Sequence, residues 1–194
     1  MIKVGITGGI GVGKTYVCSI LEKMGYSIFS SDQVSKKLVS ENSCIRDQII
    51  KFLGEDIIEN EMISRKKIAA QVFSNKEKLK KLNEIVHPFV EKEFDNWISK
   101  RYKEKVVFKE AAILFEANSN KNLDYVICVS AKLQERINRV IQRDKIDSES
   151  VKKRISMQMS QIEKERLSDF VIFNSKNNLV LPQIVKVLKK IFDL

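Results

Sequence analysis

Residues 8 to 15 read Gly-Gly-Ile-Gly-Val-Gly-Lys-Thr, which fits the spacing GxxxxGK[ST] of a phosphate-binding loop. A run of this kind lets main-chain N–H groups converge on phosphate oxygens, and a helix starting at its end adds its positive pole. Lys14 has the charge to neutralise β and γ phosphates, and Thr15 has a hydroxyl for Mg²⁺. A plain strand-to-helix turn needs one or two glycines. The stretch from Gly5 to Tyr16 holds five of the chain's seven.

Such a loop indicates a nucleoside triphosphate but not what is done with it, so the remaining chemistry must come from other side chains. Asp32 follows the run "YSIFS", where a carboxylate could accept a proton from an attacking hydroxyl or simply help start a helix after Ser30 and Ser31. Glu110 closes the run "KVVFKE" and is suited to hold Mg²⁺ or its water, although a Glu in that place can also be only exposed. Arg136, Arg139 and Arg143 share one helical face. That face reads as a phosphate clamp or as a solvated surface; Arg139 and Arg143 lie four apart and can reach one anion, whereas Arg136, a turn earlier, falls short of it. His87 before Pro88 is a packed, capping or acceptor-facing residue.

These groups need a scaffold, and the sequence supplies an α/β one. Short β-rich runs recur at 2–7, 26–30, 105–110, 125–130 and 170–174, with helical periodicity between them. Several are apolar on consecutive positions, as in parallel strands covered on both faces. Residues 33 to 104 read as mostly helical, an insertion beside the sheet, with Leu79, Leu82, Ile85, Val86, Phe89 and Val90 at three and four spacings.

The chain has 194 residues, 43% of them hydrophobic, enough for one core. No apolar run approaches the roughly 20 residues of a membrane span. Cys18, Cys44 and Cys128 are far apart and a single histidine accompanies them, so a disulfide framework and a zinc site are not expected and a reducing cytoplasm is. The net charge of +10 favours an anionic partner but does not choose among nucleic acid, anionic lipid and a phosphorylated small molecule, and lysines on solvated helix faces account for part of it.

Taken in order, the motifs resemble the dephospho-coenzyme A kinase family of P-loop kinases over nearly the whole chain. "GITGGIGVGKT" is similar to that family's opening "hTGGIGSGKS", "SSD" falls where its "DAD" ends, and "LNEIVHP" resembles its "LExIxHP". "EAAILFE" lies where the family has "dhPLLFE", and "RVIQRD" and "SDFVIFNS" resemble its "RxxxRD" and "ADxVIxNxG". The resemblance implies a P-loop NTPase-like parallel five-stranded sheet flanked by helices, in one domain. Its core is 1–32, 105–131 and 168–194, with a helical acceptor-binding insertion over 33–104 and a helical lid over 132–167.

It implies ATP and Mg²⁺ as cofactors, with Gly8 and Gly9 opening the nucleotide site, Gly11, Val12, Gly13, Lys14, Thr15 and Tyr16 contacting ATP, and Asn174 beside them. Asp32 becomes the base for a ribose 3′-hydroxyl, Arg139 and Arg143 belong to the lid, Thr15 and Glu110 hold the metal, and Arg65 and His87 hold the acceptor, 3′-dephospho-coenzyme A. Neither nucleic acid nor membrane is an expected partner. The chain departs from the pattern at Ser30, Ala112 and Ser175-Lys176, which bears on the acid before Asp32 and on two turns. A kinase of nucleosides or nucleoside monophosphates shares loop, base and lid. A regulatory or nucleic-acid NTPase fits less well, since no NKxD follows the later strands and no second module is present.

Overall fold

The computed structural model describes residues 1–72 and 75–192. Residues 73–74 of the expected insertion and 193–194 of the expected core lie outside the described residues. The strands are β1 (Ile2–Thr7), β2 (Ser27–Ser30), β3 (Ile58–Glu59), β4 (Met62–Ile63), β5 (Val106–Glu110), β6 (Tyr125–Ser130) and β7 (Phe170–Phe173). The helices are α1 (Lys14–Lys23), α2 (Ser31–Glu41), α3 (Ser43–Leu53), α4 (Arg65–Val72), α5 (Lys76–Ser99), α6 (Leu133–Asp144), α7 (Ser148–Ser156), α8 (Gln161–Arg166) and α9 (Val180–Phe192).

Two compact units result, residues 1–29 with 102–194 and residues 30–101. The first carries a five-stranded sheet of order β2-β5-β1-β6-β7, in which β1 runs parallel to β5 and β6, and β6 parallel to β7. Because Ile6 pairs with Glu110, Thr7 with Cys128 and Ser130 with Phe173, these strands end together at one edge. Such an edge is where an α/β sheet binds ligands.

The apolar runs read as buried strands are buried for a visible reason. Val4, Ile6, Phe108, Ile127, Val129 and Ile172 form one core with Val17 and Leu21 of α1 and Ile184, Val187, Leu188 and Ile191 of α9. On another side, Leu114, Ala111 and Val126 pack with Leu123 and Phe115. A Cβ on Gly5 would come within 2.8 Å of both Leu114 and Leu123, so the small residue in mid-strand lets this layer seat on β1.

Residues 30–101 form a helical unit in which α2, α3 and α4 each pack on α5. Ile45, Ile49, Ile57, Ile68, Val86, Val90 and Phe94 are buried within it. The expected helical character holds, with one addition: β3 and β4 make an antiparallel hairpin closed by Asn60 and Glu61, both at positive φ. Helix α5 continues through Pro88, whose missing N–H breaks one hydrogen bond of its ladder.

Phe108 is fully buried at the centre of the sheet, with the Tyr26 ring edge-on at 5.5 Å. Phe108→Ala is expected to cost about 3–5 kcal/mol of folding free energy, read as a lower urea midpoint at unchanged slope.

Candidate active site

At the end of β1 the chain turns through the glycine loop and enters α1, with Gly13 as the residue before the helix at φ 91°. No L side chain suits that backbone, and a Cβ there would also collide with the Asn174 amide. The loop's N–H groups divide into two sets. Those of Gly9 and Ile10 are taken by side chains, while those of Gly11, Gly13, Lys14 and Thr15 have no acceptor among the described residues. The open set sits at the N-terminus of α1, where the helix dipole adds to their positive ends. The Lys14 ammonium lies back over the loop, 3.2 Å from the Gly8 carbonyl and 3.7 Å from the Glu110 carboxylate.

The loop carbonyls are bound from behind. Arg136 Nε donates to the Ile10 carbonyl at 3.0 Å. Arg139 donates to the carbonyls of Gly11, Val12 and Asn174, and Asn174 Nδ2 donates to Val12 at 2.9 Å. Burial of Arg136, only 5% exposed, lowers the pKa of its guanidinium from the ordinary value. The three arginines read as one face therefore have three different surroundings. Arg136 and Arg139 both reach loop carbonyls, Arg136 being the more deeply buried of the two. Arg143 points away, 63% exposed and paired with Asp144 at 2.7 Å, a bond that raises its own pKa and lowers that of Asp144.

Three polar residues spaced three apart, Gln158, Gln161 and Lys164, escaped the sequence reading. Gln158 Oε1 accepts from the Ile10 N–H at 2.9 Å and Gln161 Oε1 from the Gly9 N–H at 3.0 Å. Lys164 is fully buried, donating to the Ala112 carbonyl and paired with Glu116 at 2.8 Å. Burial pulls its pKa below the usual lysine value, opposed by Glu116. Ala112, where the family has proline, thus presents its carbonyl to this ammonium. Gln161 and Lys164 share a face of α8, but Gln158 lies in the connection before it, and no signal in the sequence joins all three.

At the departure from the family's "xG", the Ser175 hydroxyl accepts from the Lys132 N–H and the Lys176 N–H donates to Glu135. Burial raises the Cys18 thiol to about 12 and the Cys128 thiol to about 11, so both stay protonated at neutral pH. Thr15 and Tyr16 are exposed on the first turn of α1, and Glu110 is buried at the end of β5. In the helical unit, Asp32 stands half-buried in the first turn of α2, Arg65 begins α4 and is exposed, and His87 lies half-buried midway along α5. Both α2 and α4 pack on the helix that carries His87.

A parallel sheet whose first strand runs through such a loop into a helix defines the P-loop class of nucleotide-binding proteins, and its relatives place this chain among the P-loop kinases. A shikimate kinase from Acinetobacter baumannii, 13% identical, has the same fold with a TM-score of 0.51. The family model for dephospho-CoA kinase matches residues 2–180, and the chain belongs to that family. It is 34% identical over 192 residues to the dephospho-CoA kinase of Bacteroides fragilis, covering 99% of this chain and 94% of that one. With the dephospho-CoA kinase of Chlorobaculum tepidum it shares 39% over 178 residues, 88% and 85% of the two chains. A solved Thermus thermophilus protein superposes with a TM-score of 0.85 at 31% identity, over 97% of this chain and 96% of that one.

Removing one member of the buried pair leaves the other uncompensated. Lys164→Met is expected to lower folding stability by about 3–5 kcal/mol, measured by urea unfolding, while Glu116→Gln, which keeps an acceptor, costs less.

Proposed function

We propose that this protein transfers the γ-phosphoryl group of ATP to the ribose 3′-hydroxyl of dephospho-coenzyme A, giving coenzyme A and ADP. The observation that carries this is the open set of N–H groups on Gly11, Gly13, Lys14 and Thr15, with the Lys14 ammonium above them. Membership of the family supports the acceptor. Both substrates are anionic, which gives the +10 net charge a use in attracting them.

The open N–H groups, flanked by Gly8, Gly9 and Val12, bind the phosphate oxygens, and Lys14 leaves the Gly8 carbonyl to bridge the β and γ phosphates. Asp32 receives the proton of the 3′-hydroxyl as its oxygen bonds to the γ-phosphorus. The bond to the β–γ bridging oxygen breaks, and the electron pair leaves with ADP. Arg139 holds the loop and Asn174 in place, whereas the exposed Arg143 can move onto the transferring group and offset its charge. Arg65 and His87 are assigned to holding the acceptor, and Tyr16 to contacting ATP.

No group of three or more His, Cys, Asp or Glu side chains suited to a metal occurs among the described residues. A Mg²⁺ that takes most of its ligands from phosphates and water needs no such group, and the hydroxyl of Thr15 and carboxylate of Glu110 are the hard oxygen donors it prefers. When bound, it would neutralise phosphate charge. No helix is long and apolar enough to cross a membrane among the described residues, and substrates of this kind put the enzyme in the cytoplasm.

The test is ADP release with dephospho-coenzyme A as sole acceptor, against adenosine and AMP. Turnover with dephospho-coenzyme A alone is expected; preference for a nucleoside or AMP overturns the assignment. Lys14→Ala should abolish transfer with the melting temperature little changed, since several kcal/mol of charge stabilisation are lost. Asp32→Asn should keep the KM for ATP and lower kcat by about two to four powers of ten; a kcat within about threefold of the parent would remove Asp32 as the base.

A further inference from the structure

We propose that Gln158 and Gln161 are positioning residues for the nucleotide loop, which fix its first half so that its second half stays open to phosphate. The inference rests on the loop receiving the triphosphate.

Ile10 is held through both of its backbone polar groups, the N–H by Gln158 at 2.9 Å and the carbonyl by Arg136 at 3.0 Å. The adjoining Gly9 N–H is held by Gln161 at 3.0 Å. A Cβ on Gly9 would collide with the Arg136 guanidinium and lie 3.2 Å from Gln161 Oε1, so these two side chains close directly on the backbone there.

The Gln161 side chain is itself anchored. Gln161 Nε2 donates to the Val129 carbonyl and to Glu165, each at 3.1 Å, and Glu165 accepts from the Ser130 hydroxyl at 2.6 Å. Between Gln158 and Gln161, the Met159 N–H donates to Glu116, the partner of buried Lys164. A chain of hydrogen bonds thus runs from the ends of β5 and β6 through residues 158–165 to the loop.

An amide side chain suits this task because it presents an acceptor to the loop N–H, and at Gln161 also a donor to the sheet edge, without adding a negative charge close to the phosphates. Without these two acceptors the Gly9 and Ile10 N–H groups would be crowded by side chains and unpaired, and the first half of the loop would have to shift to find other partners. Segment 158–165, within the region expected to act as a lid, is therefore a fixed wall, and any moving part ends before Gln158.

Amide hydrogen exchange on the nucleotide-free protein tests this, with ADP binding measured beside it by calorimetry. In the parent, the Gly9 and Ile10 amides should be protected. In Gln158→Met the Ile10 amide should exchange about tenfold faster or more, and in Gln161→Met the Gly9 amide likewise. Gln158→Glu retains an acceptor oxygen and should keep Ile10 protected. ADP affinity should fall about five- to tenfold in each Met variant, with the KM for dephospho-coenzyme A within about twofold of the parent.

Unprotected Gly9 and Ile10 amides in the parent overturn the brace, and that result needs no variant to fold. Met variants whose ADP affinity is unchanged, or whose two substrates weaken together, overturn it as well. Protected amides in a parent that does not phosphorylate dephospho-coenzyme A leave the brace standing and remove the acceptor instead.

Discussion

A loop built to bind an anion through its own N–H groups cannot use those groups to hold itself together. Buried or crowded backbone polar groups must be paired, and a glycine-rich segment has the most conformational freedom to lose on being fixed. The protein resolves this by pairing from outside. Side chains of α6, of the α7–α8 connection, of the start of α8 and of the residue after β7 take the carbonyls of Ile10, Gly11 and Val12 and the N–H groups of Gly9 and Ile10. The sheet register then matters for one reason above all, since it ends β1, β5, β6 and β7 at one edge where these side chains can meet.

The second consequence is electrostatic. The loop is surrounded by cations, of which Arg136 and Lys164 are almost wholly out of water. An unpaired buried charge would be severely destabilising, and each of these has an oxygen partner, a loop carbonyl for Arg136 and Glu116 with the Ala112 carbonyl for Lys164. Their pKa values move down because burial disfavours the charged form, while the buried thiols of Cys18 and Cys128 move up for the same reason.

What the sequence disclosed follows from which forces are local. The strands of the sheet and the glycine loop were legible because apolar runs, glycine spacing and the Lys-Thr pair are read within a few residues. The hairpin of β3 and β4 was hidden because Asn60 and Glu61 take left-handed conformations without a glycine to announce them. The arginine face was legible as a face, but helical periodicity says nothing about what lies opposite each turn, so the bonds of Arg136 and Arg139 to the loop carbonyls were not legible. Gln158, Gln161 and Lys164 are polar residues in a charged stretch, where composition indicates solvent. Their partners in the loop and after β5 are 48 or more residues away in sequence, and only the fold brings them together.

The central claim, that the loop delivers the γ-phosphoryl group of ATP to one hydroxyl of one acceptor, is tested most directly by the position of the new phosphate. The measurement is proton-coupled phosphorus NMR of the product formed from ATP and dephospho-coenzyme A. The account predicts a single new phosphomonoester coupled to the ribose 3′ proton, appearing in step with ADP. Phosphate on another hydroxyl, or release of inorganic phosphate without a phosphorylated acceptor, would contradict it.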